Sequence, residues 1–151
     1  LMLKISKATW VKKLTLSAVF FSVSCFCYAD VSVVVHPSSS IESLTTKQIK
    51  KLFLGRLRML PNTGREAVVV DQGVDSLPHK RMYSDLVRMT PSNLKRYRAA
   101  YLFSGKGRLP ITVEGDEEVK AFVAGSPSAI GYVDTVSVDD SVKTVYLLSI
   151  D

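Results

Sequence analysis

Hydrophobic positions along this chain recur with two different periods, and the two alternate. Val31-Ser32-Val33-Val34-Val35 is β-branched and predicts a strand running into the loop His36-Pro37-Ser38-Ser39-Ser40. Thr45 with Gln48 three places on has the spacing of a capping box. Behind it Ile49, Leu52 and Phe53 form the apolar stripe of a short helix that Gly55 ends. After the turn Pro61-Asn62-Thr63-Gly64, residues 67–71 predict a second strand. Residues 77–89 read as a helix with Met82, Leu86 and Met89 on one face. Thr90-Pro91 then opens another, which turns Leu94, Tyr97, Tyr101 and Leu102 inward and stops before Gly105. Residues 110–113 predict a short strand. Asp116-Glu117-Glu118 place acids in the first turn of a helix bearing Val119, Phe122 and Val123, and residues 129–133 and 143–150 supply two further strands. Strands alternating with helices predict an α/β fold, a mixed-sheet three-layer sandwich; the strand order is left open.

The first 29 residues have a different pattern. Lys4, Lys7, Lys12 and Lys13 precede an apolar run from Leu14 to Cys27, and Cys27-Tyr28-Ala29 sets small residues at the first and third places before Asp30. That is the layout of a cleaved secretory signal, and the run is shorter than the roughly twenty apolar residues of a membrane span. The expectation is a signal peptide over 1–29 and one exported, periplasmic domain over 30–151; an uncleaved anchor is the alternative. Cys25 lacks the Leu three places earlier that a lipidated cysteine usually has.

Cleavage changes the composition. Both cysteines leave with the leader, so the remaining domain has no disulfide or thiol chemistry. Its sixteen basic and fourteen acidic residues bring the net charge from +6 to +2. The charge is uneven: Lys47 to Arg108 holds fourteen Lys and Arg against four acids, whereas 109–151 holds two against eight. Such polarity steers anions toward one face or merely solvates it. The aromatic residues fall at core-like spacings rather than on a basic stacking platform, which argues against nucleic acid as a partner.

Catalytic patterns are scarce. His36 and His79 are the only histidines, and no metal-ligand spacing is present, so neither a metal nor another cofactor is expected. Ser76 and His79 lie three apart, yet a Ser and a His without a placed acid are an ordinary cap and surface residue. Gly105-Lys106-Gly107-Arg108 follows a helix and lacks phosphate-loop spacing. A binding protein is expected rather than an enzyme. An oxyanion needs convergent donors: backbone N–H groups at helix starts, hydroxyls, an arginine. Two stretches offer them. One is Ser38, Ser39 and Ser40 after the first strand. The other is Gln72 to Ser76 after the second, opening the helix that carries Arg81. Together they sit where an open α/β sheet binds ligands, beyond the carboxyl ends of strands.

Leu44-Thr45-Thr46-Lys47-Gln48-Ile49 with Leu52-Phe53-Leu54-Gly55 resembles a segment of the substrate-binding proteins of phosphate ABC transporters. Ala129-Ile130-Gly131-Tyr132-Val133 resembles their "gaIGYv" signature, and Val69-Val70-Asp71-Gln72 and Tyr83 lie between them in the expected order. The resemblance covers about residues 31–149. It implies one lobe of a type 2 periplasmic binding protein, inorganic phosphate or a similar oxyanion as ligand, and an ABC permease as partner. The alternative is a non-transporting module of that fold whose basic face around Lys50, Lys51, Arg56 and Arg58 contacts an envelope sensor or an outer-membrane partner. The chain departs from the family at the second turn. Where those proteins carry Arg followed by Gly-Ser-Gly-Thr, it has Gln72-Gly73-Val74-Asp75-Ser76-Leu77-Pro78, with Pro78 lacking a backbone donor. It is also about half as long as a two-lobed binder.

Overall fold

The computed structural model describes residues 30–149; the expected leader lies outside them. Five strands, β1 (Val31–Val35), β2 (Val68–Gln72), β3 (Ile111–Val113), β4 (Ala129–Asp134) and β5 (Lys143–Leu148), form one mixed sheet in the order β3-β2-β4-β1-β5. β2 is parallel to both β3 and β4, whereas β1 is antiparallel to β4 and β5. β1 alone runs against the others.

Helices cover both faces. Val31, Val33 and Val35 of β1 turn toward α1 (Thr46–Phe53) and the helical segment after β2, while Val34 turns toward α4 (Asp116–Gly125). A strand buried on both faces reads as a continuous apolar run, as β1 does. Thr45 and Gln48 close the expected capping box: the Gln48 amide donates to Thr45 Oγ1 at 3.2 Å, and the Thr45 amide to Gln48 Oε1 at 2.9 Å. Ile49, Leu52 and Phe53 are buried, each worth about 1.5–3 kcal/mol. Gly55 follows with φ +73°, as a helix stop requires.

The helix expected over 77–89 is not uniform. It begins as α2 (Leu77–Arg81) and widens into a π-helical stretch, Met82–Val87, closed by Arg88 in the left-handed region (φ 60°). The wider turn buries the adjacent pairs Met82, Tyr83 and Leu86, Val87, more than a narrow α-helical stripe would allow. Met89 falls beyond it. α3 (Pro91–Phe103) starts at its Thr90 cap as expected, but Leu102 points outward, 54% exposed. The Tyr97 and Tyr101 hydroxyls span to the carbonyls of Leu54 (2.7 Å) and Gly55 (2.6 Å), so the end of α3 stands off the core. On the opposite face α4 presses closely on β4: a Cβ at Gly131 would lie 2.7 Å from Val119 Cγ1.

Candidate functional site: a crevice at the strand tips

β2 and β4 end side by side, with α2 and α4 starting just beyond them. Gln72, Ser76 and Pro78 line one wall of the open crevice between them, about 560 Å³; Glu114, Asp116 and Asp134 line the other. Ser76 caps α2, its Oγ accepting from the His79 amide at 3.2 Å. Pro78 has no N–H, so Leu77 supplies the remaining first-turn amide. Gln72 is buried. Its side-chain amide donates to Asp116 Oδ1 (2.7 Å) and to the Tyr132 carbonyl (3.0 Å). Asp116 collects two more donors, the Ser137 hydroxyl (2.6 Å) and the Asp134 amide (3.2 Å). Three donors thus converge on a carboxylate of the chain itself.

Beneath the crevice lies a buried polar cluster that sequence reasoning missed. Asp71, 1% exposed, accepts from the hydroxyls of Tyr132 and Tyr83 (2.9 Å for Tyr83), from Arg98 Nη2 (2.5 Å) and from the Gln72 amide (2.9 Å). Arg98 also donates to the Tyr83 hydroxyl at 2.7 Å. Burial, reinforced by the Asp71 charge, raises the pKa of both tyrosines, so each keeps its proton and donates to the carboxylate. His79 Nε2 lies 4.0 Å from Asp71 Oδ2, and its ring packs on Tyr83 with centroids 4.6 Å apart. Burial lowers the His79 pKa, outweighing the opposite pull of Asp71. The cluster ties β2, β4, α2 and α3 together. A signal was present: Asp71 ends an apolar strand, and Arg98 stands one helical turn after the inward Leu94.

The expected donors divide between two ends of the molecule. Gln72 and Ser76 share the crevice; Ser38, Ser39 and Ser40 do not reach it. Because β1 runs antiparallel, its last residue Val35 lies beside Ile130, level with Val69 near the start of β2. The serine loop therefore continues away from the tips of β2 and β4. There Ser38 bonds His36 Nδ1 (Oγ 2.7 Å, N 3.1 Å), Ser39 Oγ accepts from the Ile41 amide (3.3 Å) and Ser40 donates to the Asn62 carbonyl (3.2 Å). The expectation of one shared hollow is corrected by strand direction. Arg81 is not among the crevice residues either, and pairs with Asp85 at 3.0 Å.

No family model matches the sequence, and no curated protein does. Solved structures match the fold. A Clostridium perfringens chain, assigned as a phosphate ABC transporter substrate-binding protein and solved with bound phosphate, superposes with a TM-score of 0.60 at 22% identity. It pairs 78% of this chain with 45% of its own. A Vibrio cholerae ABC-type phosphate transport receptor gives 0.63 at 21% identity, over 78% and 46%. PstS from Borrelia burgdorferi gives 0.58 at 15%, over 78% and 47%. The fold is that of one lobe of a phosphate-binding protein. The chain spans less than half the length of each of these three structures.

Proposed function

We propose that this chain is an exported, non-enzymatic solute-binding protein for phosphate or a similar oxyanion, acting with an ABC-type permease. The observation that carries the reading is the crevice beyond the tips of β2 and β4. In a phosphate-binder fold it brings the starts of α2 and α4 together, with the Ser76 hydroxyl as a donor beside the Gln72 amide and the Ser137 hydroxyl, which Asp116 now holds. A crevice open on one side buries only part of an anion, so full enclosure needs a further surface closing over it. Titration calorimetry on the purified chain tests this. Phosphate is expected to give saturable heat, with sulfate and molybdate run beside it, and Ser76→Ala is expected to weaken phosphate binding about fivefold or more, the loss of one hydrogen bond to a charged group. Absence of heat at millimolar phosphate would end the reading.

A second reading is favoured by Asp116. Its carboxylate already takes the donors of Gln72, Ser137 and Asp134, and Glu114, Glu117 and Glu118 add negative charge to the same walls. On that reading the fold serves as a non-transporting module, and the face around Lys50, Lys51, Arg56 and Arg58 meets a sensor or outer-membrane partner. Wild-type protein silent toward phosphate, with a partner recovered from envelope extract only while those four charges are intact, would select it.

A further inference from the structure

We propose that the pole opposite the crevice, where α3 ends and β2 and β3 begin, docks onto an anionic lipid surface. α3 terminates in Phe103, whose surface is 93% exposed, beside Leu102 at 54%. Gly105, with φ +66°, then turns the chain so that Lys106 and Arg108 follow at the same end. Arg58, arriving from the loop after α1, donates to the Lys106 carbonyl at 2.6 Å and lines one cavity wall together with Arg108. Arg56 lies over the Tyr97 ring, 5.3 Å from its centre. Among the described residues none of Arg56, Arg58, Lys106 and Arg108 forms an ion pair; Glu66 is the one carboxylate lining that cavity.

An exposed aromatic ring at the same end of the molecule as cations that form no ion pair among the described residues has the chemistry of a membrane-interface anchor. The ring enters the headgroup layer while the cations meet lipid phosphates. The shape favours lipid over an acidic protein. Phe103 stands almost fully exposed at a helix end, and a soft surface accepts such a side chain without needing a preformed pocket. The acidic crevice lies at the far end, so docking this way leaves it facing away from the bilayer. The inference stands apart from the identity of the crevice ligand.

Co-sedimentation of the purified chain with vesicles tests it. Vesicles of phosphatidylcholine with about a quarter phosphatidylglycerol are expected to bind the chain, and phosphatidylcholine alone is not. Phe103→Ser is expected to weaken binding about tenfold, and Lys106→Glu with Arg108→Glu to abolish it, each removed cation being worth about fivefold. Raising salt to about 0.5 M, which screens exposed charge and needs no variant, is expected to release the wild type. Equal binding to both vesicle types, binding indifferent to Phe103→Ser, or no binding at low salt would each overturn the proposal. So would charge-dependent retention on polyglutamate without any vesicle binding, an outcome that assigns the pole to an acidic protein.

Discussion

Asp71 shows how much one residue decides here. Its carboxylate is held by two tyrosine hydroxyls, an arginine and a backbone amide. Replacing it by Asn keeps the size and removes the charge, leaving the half-buried Arg98 facing a neutral group. Breaking a buried pair costs about 3–5 kcal/mol, and Arg98 retains some exposure, so Asp71→Asn is expected to destabilise by about 2–4 kcal/mol in urea melts. A change below about 1 kcal/mol would show the cluster to be incidental. His79 sets a pH dependence beside it. Burial holds its folded pKa below the usual 6.5, so between those two values the unfolded chain binds the extra proton. The contribution of neutral His79 is therefore present above about pH 6.5 and is lost as pH falls through the lower, folded value. Stability is expected to decline from about pH 7 toward 5, and less steeply in His79→Gln; identical slopes would remove His79 as the cause.

Among the elements, α4 and β4 carry the closest approach in the molecule's second core. Gly131 is buried against Val119 and Val123 of α4 and Val70 of β2, and an added Cβ would overlap Val119 Cγ1. Gly131→Ala is expected to cost about 1–3 kcal/mol through overpacking. The substitution pushes α4 off the sheet, and α4 carries Asp116, so the shift is also expected to alter the crevice. An unchanged thermal midpoint would mean that the helix yields freely. The π-helical stretch is the other element with a consequence. By widening at Met82 it keeps Tyr83 turned into the core and its hydroxyl on Asp71, while His79 stays packed at the start of the same helix.

At the scale of the whole molecule, charge divides along the strand axis. Arg58 and Arg108 line the cavity where β2 and β3 begin, and Glu114, Asp116, Glu117, Glu118 and Asp134 line the crevice where β2 and β4 end. The acidic end is the one proposed to take an oxyanion, so like charge opposes the ligand. The nearest opposing group is Asp116, which already uses the donors. Asp116→Asn removes that charge while retaining one oxygen acceptor, for either Gln72 or Ser137. Phosphate affinity is expected to rise about tenfold in this variant, read by calorimetry, since one nearby unit charge is worth about 1–2 kcal/mol at a partly solvated site. Weaker binding in Asp116→Asn would show that this carboxylate supports the site, and unchanged binding that it does not oppose the anion.

Local chemistry was legible in the residues. The capping box at Thr45, the Thr90-Pro91 helix start, the stop at Gly55, the β-branched run of β1 and the alternation of strands with helices depend on neighbours a few places apart, and sequence spacing reports those directly. The family resemblance at Leu44 to Gly55 and at Ala129 to Val133 pointed to the lobe that the fold confirms. Strand direction was not legible. Whether β1 runs with or against β4 depends on pairing across about a hundred residues, and that one reversal carries Ser38, Ser39 and Ser40 away from Gln72 and Ser76. The meeting of Asp71 with Arg98 and Tyr132, and of Asp116 with Gln72 and Ser137, was likewise decided by tertiary packing: each partner satisfies a group that the sheet had already buried.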